Sequence, residues 1–116
     1  MRRPKSVLVV EDEVLIAMDI QAELEDAGWT VIGPAGTVAQ AMKLLEGHTP
    51  SVAVLDINLG GSPSFPIADA LEARSIPFVF LSGNALTGEG ERFSHRRLFS
   101  KPVQYSVLLN GLEDCL

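Results

Sequence analysis

The chain has 116 residues, 47% of them hydrophobic, and its 15 acidic and 9 basic residues give a formal net charge of −6. This length suits one compact domain with a substantial core, so we expect residues 1–116 to form a single domain. The acidic balance, without a basic stripe interleaved with aromatic residues, argues against direct binding to nucleic acid.

The sequence carries no targeting or membrane signal. Three of the five N-terminal residues are basic, but the apolar run 7–10 behind them is too short for a signal-peptide core, and no run reaches transmembrane length. Its single cysteine, Cys115, cannot form an internal disulfide. We therefore expect a cytoplasmic protein that does not contact a membrane.

Five short apolar runs predict β-strands. They occupy residues 7–10, 30–33, 52–55, 78–81 and, more weakly, 97–100. Most are nearly continuous rather than alternating, which is typical of parallel strands covered on both faces.

Segments with helical periodicity lie between these runs. The first has two neighbouring apolar rows, Ile16, Ile20, Leu24 and Ala27 beside Leu15, Met18 and Ala22, and Gly28 supplies its stop. The second runs from Val38 to Leu45, with Thr37 and Gln40 spaced as a capping box at its start.

Two later helices and one irregular segment follow. The third helix turns Ile67, Ala70 and Leu71 inward, and the last has an apolar row of Tyr105, Leu108, Leu109, Leu112 and Leu116. Gly111 inside the last helix should cost about 1 kcal/mol relative to Ala. Residues 84–97 contain Gly88 and Gly90, with only Leu86 and Phe93 as apolar anchors, so we predict a fourth helix that is short, frayed or mobile.

Alternating strands and helices predict an α/β fold. The right-handed crossover rule leaves few topologies, and a doubly wound, flavodoxin-like (βα)5 fold with a five-stranded parallel sheet in order 2-1-3-4-5 fits best. In such a sheet the ligand site lies beyond the carboxyl ends of the strands, where the strand order reverses.

Acidic residues collect at that predicted point. The first strand is followed by Glu11 and Asp12, and the third ends in Asp56. Three carboxylates repel one another unless a cation lies among them, and oxygen ligands without His or Cys favour Mg²⁺ or Mn²⁺ over zinc.

The fourth and fifth strands bring a hydroxyl and a positive charge to the same edge. Ser82 and Lys101 are groups that bind phosphate oxygens. With Asp56 as nucleophile and a metal beside it, this inventory is what formation of an aspartyl phosphate requires.

The motifs "VVEDE", "VLDINLGG", "VFLSG" and "FSKP" resemble, in order and spacing, those of bacterial response-regulator receiver domains, which are CheY-like modules of two-component systems. The resemblance implies that Asp56 accepts a phosphoryl group from a histidine kinase or a phosphotransfer protein, and that a downstream protein target senses the change. It implies a regulator rather than an enzyme, with Mg²⁺-dependent self-phosphotransfer and slow self-dephosphorylation.

The same resemblance assigns the remaining site residues. Glu11 and Asp12 match the metal-binding acids, and Asn58 matches the position whose backbone carbonyl completes the metal shell. Ser82 and Lys101 match the switch hydroxyl and the phosphate-binding lysine, and a cis peptide bond is implied before Pro102.

One position departs from the family pattern. Leu98 stands where most receivers have a Tyr or Phe that turns inward on phosphorylation. The segment "PFVFLSGNA" is partly similar to the signature of the FAT GUY receivers, which also lack this aromatic residue. The usual coupling of hydroxyl and aromatic ring is therefore not expected, and the fourth helix is the better candidate for the moving part.

Simpler interpretations and rival functions remain beside this one. Asp12 could be only a helix N-cap, Asp56 a turn residue and Lys101 a solvated lysine. His48 and His95 are expected at the surface without a catalytic role.

The main rival function is a receiver-like interaction module that needs no phosphorylation. A phosphatase with a second acid is disfavoured by Asn58, and a flavin-binding protein by the acids after the first strand.

The sequence offers no segment for an output domain beside the receiver-like region, and we expect none. We therefore expect signalling through protein contacts, with homodimerisation through the last helix as one option, unless the chain is a piece of a larger regulator.

Overall fold

A central parallel sheet organises the computed structural model, which describes residues 5–84, 86 and 88–116. The strands are, in chain order, β1 (Ser6–Val10), β2 (Thr30–Ala35), β3 (Val52–Asp56), β4 (Asn58–Leu59), β5 (Ser62–Pro63), β6 (Phe78–Ser82) and β7 (Leu98–Ser100). Five of them form the parallel sheet in the order β2-β1-β3-β6-β7, and β4 and β5 pair as a separate antiparallel hairpin. The predicted order 2-1-3-4-5 is confirmed, and the hairpin is an addition that the sequence did not predict.

Among the described residues, four α-helices flank the sheet: α1 (Val14–Asp26), α2 (Val38–Gly47), α3 (Phe65–Ala73) and α4 (Tyr105–Glu113). Between β6 and β7 lies a 3₁₀-helix (Gly88–Phe93). None of the helices in the described part of the chain has the length and apolar character needed to cross a membrane.

The core has two layers because successive strand residues point to opposite faces of the sheet. On one face Leu8 and Val10 pack with side chains of α2, α3 and the 3₁₀-helix, and on the other Val7 and Val9 pack with side chains of α1 and α4. The four apolar side chains of β1, at positions 7–10, are all fully buried. This two-sided burial explains why the strand sequences are continuously apolar.

Helix α1 contacts the sheet through a narrower stripe than its sequence suggests. Ile20 and Leu24 are buried, and the helix ends before Gly28, whose φ is 92°, as predicted. The second apolar row is exposed instead, with Leu15 at 78% and Met18 at 59% of full exposure, and Ala22 is exposed too. One stripe suffices to cover the sheet, and periodicity does not say which of two adjacent rows contacts it.

Helix α2 has half of the predicted capping box. Thr37 Oγ1 accepts a hydrogen bond from the Gln40 N–H at 3.1 Å. The Gln40 side chain, however, accepts from the N–H of Gly36 at 2.9 Å, one residue before the position that a capping box uses.

Helix α4 contains Gly111 because a ring lies against it. A Cβ at this position would come within 2.3 Å of Phe99 Cζ, so the glycine lets β7 and α4 approach closely. Leu108 and Leu112 are buried as predicted, but the helix ends at Glu113, and Leu116 beyond it is exposed.

The predicted fourth helix is short, as expected, but it is a 3₁₀-helix rather than an α-helix. Its anchor Phe93 is fully buried, and Gly88 has a positive φ of 55°. Gly90 lies against Phe65, whose Cζ would be 3.0 Å from a Cβ on Gly90. Glycines at these positions lower the stability of an α-helix and allow the tighter turn.

Candidate functional site

The predicted polar residues come together at the carboxyl edge of the sheet. Glu11 follows β1, Asp56 ends β3, Ser82 ends β6 and Lys101 follows β7. Strands β6 and β7 pair with Ser82 opposite Ser100, and the Lys101 N–H donates to the Ser82 carbonyl at 3.0 Å. Strand register therefore places the lysine beside the two acids.

Lys101 joins the two buried acids. Its Nζ lies 3.1 Å from Asp56 Oδ2 and 3.0 Å from Glu11 Oε2. Asp56 is 6% exposed and Glu11 is 2% exposed. Burial of two carboxylates is costly unless positive charge accompanies them, and Lys101 supplies one such charge.

Glu11 makes an ion pair with Lys101 and accepts one hydrogen bond. Its Oε1 accepts from the Glu13 N–H at 3.1 Å, whereas Oε2 has no partner with hydrogen-bond geometry, although it is at ion-pair distance from Lys101. Burial, with repulsion from Asp56 added, raises the pKa of Glu11 above its ordinary value despite the opposing effects of Lys101 and the Glu13 N–H. One oxygen of this carboxylate thus remains available to a further ligand.

The same contacts keep Lys101 charged. Partial burial by itself would lower the pKa of Lys101, but its interactions with Glu11 and Asp56 outweigh burial and raise that pKa. The side chain is therefore a fixed positive charge at the base of the site.

Three carboxylates could hold a cation. One oxygen each of Glu11, Asp12 and Asp56 lies within 4.8 Å of the others. Asp12 is exposed, and its Oδ2 would be 3.7 Å from a Cβ on Gly60, so it borders the hairpin. Oxygen donors, together with the incompletely paired Oε2 of Glu11, fit a hard divalent ion such as Mg²⁺.

Asn58 begins the hairpin, and its side chain is already engaged. Its Oδ1 accepts from the Gly61 N–H at 2.8 Å, and its own N–H lies 3.4 Å from Asp56 Oδ1. Pro63, opposite Asn58 across the hairpin, has no N–H to donate to the Asn58 carbonyl. The side-chain oxygen of Asn58 is thus used to stabilise the turn. If Asn58 binds a metal, its backbone carbonyl is the group that would do so.

Ser82 faces the cleft above Asp56 and Lys101. Its Oγ accepts from the Asn84 N–H at 3.0 Å, which leaves the hydroxyl proton free to donate. The cleft has a volume of about 720 Å³, and Gly60, Gly61 and Pro63 line it together with Ser82. The glycine-rich segment therefore borders the site and has a hairpin structure.

Three apolar residues that line the cleft, Ile57, Phe65 and Leu86, were not identified from the sequence as part of the site. Phe65 and Leu86 line it beside the polar groups. Phe65 comes soon after the hairpin. Its place in the sequence, just after the turn residues at this edge of the sheet, was the feature from which a position beside the cleft could have been predicted.

Other singled-out residues lie away from the cleft. Leu98 is half-buried against the core, and His48 and His95 are exposed. His48 Nδ1 contacts the Leu44 carbonyl, and His95 contacts Glu72. The peptide bond between Lys101 and Pro102 is cis, as the family resemblance implies.

Comparison with known proteins identifies a family. A family profile described as the response regulator receiver domain matches residues 7–113. Phyllosphere-induced regulator PhyR of Methylorubrum extorquens is 38% identical over 104 residues, which are 84% of this chain and 38% of that protein. Transcriptional regulatory protein PdtaR of Mycobacterium tuberculosis is 32% identical over 95% of this chain and 56% of its own length. The chain thus spans about two fifths to just over half of these relatives.

Solved structures agree in fold over the whole chain. The solution structure of SdrG from Sphingomonas melonis is 38% identical, superposes with a TM-score of 0.84, and covers 99% of this chain and 98% of its own. A second SdrG structure, described as its BeF3-activated conformation, is also 38% identical and superposes with a TM-score of 0.79.

Proposed function

The chain belongs to the response regulator receiver domain family, and from this premise we propose that residues 1–116 act as a phosphorylation-dependent switch of a two-component system. In this proposal a histidine kinase or a phosphotransfer protein phosphorylates Asp56, and the phosphorylated domain changes its affinity for a downstream protein. The cytoplasmic location remains a prediction.

The contact of Lys101 Nζ with both Asp56 and Glu11 carries this proposal. Because Asp56 ends its strand at the floor of an open cleft, one of its oxygens can meet a donor from outside. Lys101 already contacts the other oxygen, so it fixes the orientation of the carboxylate.

The proposed transfer is a nucleophilic displacement at phosphorus. A carboxylate oxygen of Asp56 forms the new P–O bond while the P–N bond of the phosphohistidine breaks and its electron pair returns to the imidazole nitrogen. Lys101 and the Ser82 hydroxyl lie where they can donate to the phosphoryl oxygens as charge develops on them. The chain's own contribution is thus orientation and charge neutralisation.

Glu11, Asp12, Asp56 and the Asn58 carbonyl would hold Mg²⁺. Three carboxylates and one lysine leave two net negative charges in the cluster, which one divalent cation balances. When bound, the ion would supply positive charge that balances the charge of the phosphoryl group.

Phosphorylation of Asp56 can be tested directly. Wild-type protein incubated with acetyl phosphate and Mg²⁺ should gain the mass of one phosphoryl group, and hydroxylamine should remove it because acyl phosphates are labile. Asp56→Asn should gain none, whereas Asp26→Asn, which changes an exposed acid at the end of α1, should label like the wild type. Undiminished labelling of Asp56→Asn would refute the assignment.

A phosphorylation-independent interaction module is the second candidate. It is favoured by Leu98, which places an aliphatic side chain where the family has a switch aromatic. Partner affinity measured with and without phosphodonor separates the two candidates. A partner affinity that stays the same with and without phosphodonor, although Asp56 is phosphorylated, supports the phosphorylation-independent interaction module.

A further inference from the structure

Phe65 belongs at once to the wall of the cleft and to the packing surface of the 3₁₀-helix. It lines the cleft with Leu86, yet it is only 7% exposed. Its ring stacks on Phe93 at a centroid distance of 5.5 Å and meets Phe80 edge-on at 6.4 Å. The ring therefore touches both the candidate phosphoryl site and the segment that follows β6.

The contact with the 3₁₀-helix is tight at the backbone. A Cβ on Gly90 would be 3.0 Å from Phe65 Cζ and 3.1 Å from Leu86 Cδ2, so the helix backbone itself rests on these two side chains. Packed interiors transmit displacement because they contain few voids. A ring that shifts at Phe65 must therefore move the Gly90 backbone or lose its contact with it.

The site also reaches Phe65 through the chain. The hairpin connects Asp56 to Phe65, and its closing hydrogen bond runs from the Ser64 N–H to the Ile57 carbonyl at 2.8 Å. Asn58, Gly61 and Pro63 of the hairpin line the cleft. A group bound in the cleft would therefore lie beside Phe65 itself and beside the hairpin that precedes it.

We propose that Phe65 is the positioning residue that transmits occupancy of the Asp56 site to the 3₁₀-helix, in place of the aromatic side chain absent at Leu98. This inference rests on the proposed function, because it requires a phosphoryl group at Asp56.

The test compares two phenylalanines of one cluster. Phe78 also packs on Phe80 and Phe93, with centroid distances of 5.5 and 6.1 Å, but it is not part of the cleft wall. Phe65→Leu and Phe78→Leu remove similar buried rings, so both should lower stability. Only Phe65→Leu should break the connection to the site.

The readout is the amide spectrum of ¹⁵N-labelled full chain with and without Mg²⁺ and beryllofluoride, a phosphoryl mimic. In the wild type and in Phe78→Leu, shifts are expected both at Ser82 and Gly83 and throughout Gly88–Phe93. In Phe65→Leu, the shifts at Ser82 and Gly83 should persist, while those of the 3₁₀-helix should fall to near zero.

Each other result overturns the inference in a recognisable way. Equal responses of the 3₁₀-helix in wild type and Phe65→Leu exclude a transmitting role for Phe65. Loss of the distal response in both variants assigns it to the whole aromatic cluster instead. A wild type that shifts at Ser82 but not at the 3₁₀-helix refutes the inference alone, whereas a wild type without any shift also refutes the proposed function.

Discussion

Replacement of Gly111 by Ala should destabilise the protein although it favours the helix. In an unencumbered helix the change would contribute about 1 kcal/mol of stability. Here the new Cβ would lie 2.3 Å from Phe99 Cζ and 3.1 Å from Cε2, so the buried ring must move by more than 1 Å to restore ordinary contact. Overpacking of this kind costs about 1–3 kcal/mol. A contact as short as 2.3 Å places Gly111→Ala in the upper half of that range, so we expect a net loss of about 1–2 kcal/mol after the helical gain of about 1 kcal/mol.

Urea denaturation at fixed pH measures this loss. The Gly111→Ala midpoint should fall at an unchanged slope, and Tm should drop by roughly 4–8 °C. Gly47→Ala is the matched control, because Gly47 ends α2 with no atom within 4 Å of its Cβ position, and its stability should be unchanged or slightly higher. In a Phe99→Leu background the cost of Gly111→Ala should disappear. A Gly111→Ala protein as stable as the wild type would refute the packing argument.

Three further outcomes concern the site and its surroundings. Mg²⁺ should raise Tm, because a ligand that binds only the folded state contributes about 2.7 kcal/mol of stability at a hundredfold excess over its Kd. The Asp12→Asn variant should lose most of this rise in Tm. If Mg²⁺ raised the Tm of Asp12→Asn as much as that of the wild type, Asp12 would not be a metal ligand. Without metal, the raised pKa of Glu11 means that the folded state binds more protons than the unfolded state just above pH 4.5, so stability falls as pH rises through that window. Urea titrations at several pH values should show that the free energy of unfolding falls less with pH in Glu11→Gln than in the wild type. Identical pH profiles of the two proteins would contradict a raised pKa of Glu11. Arg92→Ala removes the two-pronged contact with Asp69 on α3, so amide exchange of Gly88–Phe93 should accelerate; unchanged exchange rates would show that the aromatic anchor alone holds the segment.

The sequence predicted the position of the site because parallel strands place their carboxyl ends at one edge. Glu11, Asp56 and Lys101 are far apart in the chain, yet each directly follows or ends an apolar run, and topology alone brings them together. The contacts of Lys101 with both acids agree with the predicted grouping.

Features that depend on contacts between distant side chains could not be predicted. Gly111 appeared unfavourable in the sequence because its partner, Phe99, lies on another element. The exposure of Leu15 and Met18 depends on how α1 is rotated against the sheet, which periodicity leaves open when two rows are apolar. Phe65 is a residue type that is common in protein cores, and only its position in the structure shows that it also borders the cleft.

The position of Lys101 beside Asp56 and Glu11 depends on the register of the last strand. Strand β7 has only three residues, and Ser82 pairs with Ser100, so a slip of one residue would turn Lys101 away from Asp56 and Glu11. Phe99 opposes such a slip, because its ring occupies the space that Gly111 leaves open in α4. The glycine that weakens the helix thus helps to hold the lysine at the site, and a clash at Gly111 should disturb phosphorylation as well as stability.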